Sequence, residues 1–159
     1  MSTFGNWFKK WKFENIKINA QFAEVEFSFN DSDKEAAWEM YVELLTRITT
    51  QSLDDQSGDE KTALSSIFSL FATTRDILKK HGSDCVQFTK LAVIILNQVI
   101  RPFTAKWHKR SLAGAFDYED SCKEFREELR DLQEQLNNYI GMLSEIAGVE
   151  NLSQLEIND

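Results

Sequence analysis

Proline, glycine and cysteine are all scarce in this chain of 159 residues, which contains one proline, six glycines and two cysteines. So few helix-breaking residues favour long helices and disfavour long flexible linkers. Cys85 and Cys122 are too few for a disulfide framework and do not form a CxxC pair. We therefore expect a mainly helical protein with reduced thiols, located in the cytoplasm.

Long apolar runs are also absent. The strongest run covers residues 91–96, far short of the roughly 20 residues that cross a bilayer. The first 13 residues are aromatic and basic, without the apolar stretch of a signal peptide. We do not expect the protein to associate with a membrane.

Motifs for cofactor binding and catalysis are missing from the sequence. It contains no glycine-rich nucleotide loop and no GxSxG nucleophile motif. Neither His81 nor His108 has a second histidine or cysteine at metal-ligand spacing. The sequence therefore predicts no cofactor, no metal site and no catalytic residue, and a small hydrolase without a recognisable motif is the least favoured function.

The chain is acidic, with a formal net charge of -8. This charge disfavours a protein covered by nucleic acid over its whole surface. The length predicts a single domain over residues 1–159. Within it we expect an aromatic and basic N-terminal segment, a β-hairpin, a helical bundle and an acidic tail, at residues 1–12, 13–30, 31–148 and 149–159.

The hairpin is predicted from residues that alternate with period two. Ile16 and Ile18 alternate with polar residues, and so do Val25, Phe27 and Phe29. This alternation is typical of half-buried strands. We expect a turn near residues 19–21 and packing of the hairpin on the helices.

The remaining sequence predicts a bundle of about four main helices. Ser32 and Glu35 fit a capping box at the start of the first, which runs to about residue 49 with Trp38 and Ile48 facing inward. We expect Asp59 to cap a second helix that extends to about residue 80, with Phe68 facing inward. We expect Ser83 or Asp84 to cap a third helix, which covers 83–101. This helix is apolar on nearly all sides over 91–100, which predicts that it is the most buried. Pro102 is expected to kink or end it.

The fourth helix, at residues 118–147, has a coiled-coil-like seam of apolar residues spaced alternately by four and three. We expect this seam to be buried in the bundle or against a second copy of the chain. Its members are Tyr118, Cys122, Phe125, Leu129, Leu132, Leu136, Tyr139, Leu143 and Ile146.

Residues 101–110 form a local basic and aromatic segment that contains no acidic residue. Its cations could neutralise phosphates, while an aromatic ring stacks on a base. Alternatively, Phe103 and Trp107 anchor the core and the cations balance the acidic helix 118–147. The candidate phosphate-binding residues are Arg101, Lys106, Trp107, His108, Lys109 and Arg110.

A second basic and aromatic segment lies at the N-terminus. Phe4, Trp7, Phe8 and Trp11 have helical spacing and are interleaved with lysines. Four exposed aromatic rings would be costly on a monomer, so core packing or a partner-binding surface is favoured over an interfacial membrane anchor.

These patterns favour a non-enzymatic binding or accessory subunit of a larger cytoplasmic protein assembly, which contacts a partner protein or a second copy. The alternative is a nucleic-acid or nucleotide-phosphate binding protein that uses residues 101–110.

Overall fold

A computed structural model describes residues 3–13, 15–47 and 59–153 of the chain. The predicted mainly α fold is confirmed. Ile48 and the last residues of the predicted acidic tail lie outside the described residues. The α-helices are α1 (Phe4–Lys10), α2 (Ala20–Ala23), α3 (Asp31–Leu45), α4 (Glu60–His81), α5 (Val86–Ile95), α6 (Arg101–Leu112) and α7 (Glu119–Ala147).

The predicted β-hairpin at residues 13–30 is wrong. Residues 20–23, near the expected turn, form α2, because the Asn19 side chain accepts a hydrogen bond from Phe22 N at 2.7 Å and caps a helical turn. The only β-pairing in the described residues is an isolated bridge between Thr3 and Glu26. The alternation at 25–29 instead reflects an extended segment that packs Phe27 and Phe29 onto the ring of Trp7.

The starts of α3 and α5 share one carboxylate. Asn30, not Ser32, caps α3, and it forms a capping box with Asp33. The buried Asp33 carboxylate also accepts a hydrogen bond from Phe88 N at 2.9 Å, in the first turn of α5. Neither Ser83 nor Asp84 caps α5. Asp33, on α3, accepts a hydrogen bond from the first turn of α5 in their place. The prediction that Asp59 caps α4 is confirmed.

Residues 86–112 form one long helical segment with a π-helical turn inside it. The turn covers Leu96–Ile100, and Arg101 N donates to the carbonyl five residues earlier. Pro102 lacks the N–H that would bond to the carbonyl of Gln98 in a regular helix. A wider turn before the proline accommodates this loss, so the helix continues to Leu112 instead of ending near residue 101.

The seam of α7 forms much of the core, and α3 packs against it. Seven seam members are buried: Phe125, Leu129, Leu132, Leu136, Tyr139, Leu143 and Ile146. The first two predicted members are not: Tyr118 precedes α7 and is exposed, and Cys122, in the first turn of α7, is half-buried. Gly148, in the left-handed conformation, ends the helix.

Two aromatic side chains that we expected inside the bundle lie on its surface. Trp38 is 47% exposed and stacks on Tyr41, while Phe68 is 60% exposed and stacks on His108. On α3 the buried apolar face is formed by Ala36, Ala37, Met40, Tyr41 and Leu44, and Trp38 lies outside it. An apolar residue at helical spacing therefore does not by itself identify the inward face.

The N-terminal segment is part of the core. Trp7 Nε1 donates to Glu145 on α7 at 2.7 Å, and Lys10 Nζ pairs with the same carboxylate at 2.7 Å. Trp11 lies over Gly141, where a β-carbon would overlap its ring. These contacts fix α1 against the C-terminal half of α7.

Candidate partner-binding groove

An open apolar groove runs between α5 and the segment that leads into α2. Its volume is about 630 Å³. It is lined by Lys17, Ile18, Asn19, Phe22, Ser83, Val86, Thr89, Lys90, Val93 and Ile94.

One face of α5 forms the floor of this groove. The floor residues on α5 lie at positions 86, 89, 90, 93 and 94, spacing that places them on one face of a helix. The opposite face of α5 is buried through Phe88, Leu91 and Ile95. Val86 and Val93 are consequently 48% and 41% exposed, although both are apolar. The prediction that this helix is buried on nearly all sides is therefore wrong for the floor of the groove.

The segment at residues 17–19 forms the opposite wall and is held by a side chain. The amide of Gln98, on the π-helical turn, bonds to both backbone groups of Lys17: Lys17 N donates to Oε1 at 2.7 Å, and Nε2 donates to Lys17 O at 2.8 Å. This pair of bonds replaces the pairing that a neighbouring strand would supply. The turn caused by Pro102 thus positions one wall of the groove.

The groove is basic in an acidic protein. Among the described residues, its lining includes Lys17 and Lys90 and no acidic side chain. Lys90 Nζ lies 5.8 Å from the ring centroid of Phe4 and 5.7 Å from that of Phe22. These cation–π contacts hold the ammonium group beside the apolar lining.

The sequence did not predict the groove, because its lining residues are distant in sequence and form no recognisable motif. One signal was present: the run at 91–96 has more apolar residues than a helix can bury on one face. We attributed that excess to a fully buried helix, whereas the structure leaves part of it at the surface.

The structure places Trp107, a candidate for base stacking, in the core. Its side chain is fully buried, with the ring stacked on Phe116 and edge-on to Phe125, at centroid distances of 5.9 and 5.1 Å. Phe103 joins the same cluster through Phe125. Trp107 in this position has no face available to a nucleic-acid base, and it packs as the core-anchor alternative expects.

Two cations of the same segment pair with acidic residues of α7. Lys106 Nζ lies 2.8 Å from Glu128, and Arg110 lies 3.0 Å from Glu124. The hydrogen bond with Glu128 raises the pKa of Lys106, and the bond with Glu124 raises the pKa of Arg110. Reciprocally, the bond from Arg110 lowers the pKa of Glu124. These pairs neutralise charge that phosphate binding would need.

The other three candidates of the segment lie on the surface. Arg101 stacks over the ring of Phe71 with its Cζ 4.8 Å from the centroid, and His108 stacks on Phe68. Lys109 is exposed on α6. The structure therefore does not gather the six candidates at one concave surface. Phosphate binding by residues 101–110 stays a prediction.

The N-terminal candidates divide into three buried rings and one half-buried ring. Phe4, Trp7 and Phe8 lie in the core, whereas Trp11 is half-buried. A buried ring presents no surface to a partner, so of the four only Trp11 can contribute directly to a docking surface. Phe4 contributes indirectly, since it supports Lys90 at the groove.

Within residues 3–13, 15–47 and 59–153, no group of three or more histidine, cysteine or acidic side chains is arranged to hold a metal ion. No helix in these ranges combines the length and the apolar character needed to cross a membrane. No protein-family model, curated protein or solved structure matches the chain.

Proposed function

We propose that this protein is a non-enzymatic binding subunit that holds an apolar segment of a partner protein in the groove between α5 and residues 17–22. It acts in the cytoplasm, the compartment favoured by its two free cysteines. The observation that carries the proposal is the exposure of Val86 and Val93, two turns apart on the same helix face, inside a concave surface.

Energetics support a binding role for this face. Burying a half-exposed valine gains about 1 kcal/mol at roughly 25 cal/mol per Å² of apolar surface. A contiguous apolar surface rimmed by polar groups is typical of protein interaction sites. Here the apolar lining residues are accompanied by polar ones, with Lys17, Asn19 and Ser83 beside the floor and Thr89 and Lys90 on it.

Site-specific photo-crosslinking in the cells that make the protein tests this function. A photoreactive amino acid is placed at Val93, and at Val42 as the matched control, which is 37% exposed on α3 and outside the groove. We expect one defined protein to be crosslinked from position 93 and not from position 42.

The captured protein is then purified and titrated against the wild type, Val93→Asp and Val42→Asp. We expect Val93→Asp to weaken binding by at least about tenfold, since it buries a charge in an apolar contact, and Val42→Asp to leave the affinity unchanged. Equal affinities of all three proteins would refute the groove as the binding site.

A further inference from the structure

Building on the proposed function, we infer that the ligand of the groove is a short amphipathic helix of a partner protein, with acidic residues on both sides of its apolar stripe. Three features of the groove lead to this occupant: its length, its charge and the state of the backbone in its wall.

The floor has the length of a short helical anchor. Val86 and Ile94 are separated by eight residues of α5, which corresponds to about 12 Å at 1.5 Å per residue. Apolar anchors at positions i, i+4 and i+7 of a ligand helix span about 10 Å, so three side chains fit along the floor.

The charge of the lining selects against a basic ligand. Lys17 lies in the wall, Lys90 lies on the floor, and no acidic residue joins them among the described lining residues. The whole chain carries a formal net charge of -8, so this is a local reversal of sign. Complementary charge across an interface favours the correct partner and orientation. An acidic side chain on each side of the apolar stripe can meet one lysine each.

The wall disfavours an extended ligand. A strand would bind by pairing with free backbone groups of residues 17–19. Both the N–H and the carbonyl of Lys17 are already bonded to the amide of Gln98. The floor is a helix, whose backbone groups are bonded internally. At Lys17 the wall therefore has no free backbone group for a strand, and the floor offers side-chain contacts, which a helix can make through its side chains alone.

The inference is tested with a panel of stapled helical peptides of about 14 residues. Peptides of this length need the staple to stay helical. All share leucine anchors at i, i+4 and i+7 and carry either glutamate, glutamine or lysine at the flanking positions. Fluorescence anisotropy at low salt gives the affinity of each for the wild type, for Lys17→Glu/Lys90→Glu and for Lys109→Glu. Lys109 is exposed on α6 and lies outside the groove, so it controls for the change in net charge.

We expect the glutamate peptide to bind the wild type about tenfold more tightly than the lysine peptide. Each of the two surface charge pairs changes the affinity by about threefold, and the two factors multiply. The double substitution should reverse this order, and Lys109→Glu should retain it. Val93→Asp should weaken binding of all three peptides, because it acts on the shared leucine anchors.

Other outcomes overturn the inference in distinguishable ways. If all peptides bind alike and Val93→Asp abolishes binding, the groove binds a helix but not an acidic one. If no peptide binds while crosslinking at Val93 still captures a partner, the ligand is not a helix of this kind, although the proposed function stands. Absence of both signals removes the proposed function too.

Two further occupants are separated by direct measurements. Binding to vesicles of phosphatidylcholine and phosphatidylserine that is lost in Lys17→Glu/Lys90→Glu would assign the groove to an anionic lipid surface. Self-association in sedimentation experiments that is lost in Val93→Asp would assign it to a second copy of this chain. Either result contradicts the helical partner.

Discussion

At the scale of single residues, substitutions of Trp107 distinguish a core anchor from a base-stacking residue. Its ring is fully buried among Phe103, Phe116 and Phe125, and its indole Nε1 has no hydrogen-bond partner among the described residues. We expect Trp107→Ala to lower the free energy of unfolding by about 3–5 kcal/mol through the cavity it leaves. Trp107→Phe should cost clearly less, because it keeps an aromatic ring and removes an unsatisfied buried donor.

Urea denaturation of the three proteins measures these differences. The base-stacking interpretation predicts the opposite pattern: Trp107→Ala would unfold like the wild type but lose roughly 1–3 kcal/mol of nucleic-acid binding. That result would restore residues 101–110 as a binding segment and contradict the buried position of the ring.

Glu124 gives a residue-scale prediction about pH. The hydrogen bond from Arg110, with help from Lys106, lowers the pKa of its carboxyl in the folded protein. A lowered folded-state pKa contributes stability above the unfolded-state pKa, and this contribution disappears as the pH falls through the folded-state value. We expect Glu124→Gln to be less stable than the wild type at pH 7, and the difference in the free energy of unfolding to be smaller at pH 3.

The matched control is Glu127→Gln, an exposed carboxyl on the same helix that takes no part in these pairs. Its stability relative to the wild type should change little between the two pH values. If the difference in the free energy of unfolding between Glu124→Gln and the wild type were as large at pH 3 as at pH 7, the stabilising role of the ion pair would be contradicted.

At the scale of elements, the π-helical turn links a proline to the wall of the groove. Gln98→Ala removes both bonds to the Lys17 backbone. We expect faster hydrogen exchange at residues 17–19, weaker binding of the groove ligand, and a loss of global stability of only about 1 kcal/mol, because the bonds are solvent-exposed. Hydrogen exchange followed by mass spectrometry checks this directly.

Asn97→Ala is the control for that experiment. Asn97 lies on the same turn and accepts a bond from Arg101 Nε at 3.1 Å, away from the groove. If both substitutions accelerated exchange at residues 17–19 equally, the turn as a whole, and not the Gln98 amide, would hold the wall.

The seam of α7 supports a second element-scale prediction. Leu132 is buried in the seam, whereas Glu134 is exposed. We expect Leu132→Asp to cost more than about 4 kcal/mol, because it leaves a cavity and buries a charge. Glu134→Ala should change stability by less than about 0.5 kcal/mol. Thermal melts compare the two, and an unchanged melt for Leu132→Asp would refute the assignment of the seam to the core.

Local signals in the sequence identify several elements but not the groove. The spacing of α7 and the cap at Asp59 are short-range patterns, and both are found in the structure. The predicted hairpin is not found because Phe27 and Phe29 alternate to pack against the core while Val25 is exposed, and alternation does not show whether a second strand lies alongside. The bond between Gln98 and Lys17 joins positions 81 residues apart, so no local pattern contains it.

At the scale of the whole molecule, the distribution of apolar surface predicts that the isolated chain is monomeric. The α7 seam is packed against α3, so it has no surface left for a coiled-coil dimer. If the groove binds a different protein, the melting temperature should not change over about a hundredfold range of protein concentration. A melting temperature that rises with concentration would indicate that a second copy covers an apolar face.

The contact between Gly141 and Trp11 restricts how α7 can change. Alanine in place of a glycine inside a helix ordinarily stabilises it by about 1 kcal/mol. Here the added methyl group would overlap the Trp11 ring and displace it, together with its hydrogen bond to Glu145. A substitution at Gly141 that raises the helix propensity of α7 would therefore weaken the packing of the N-terminal segment. A larger residue at position 141 needs a smaller one at position 11.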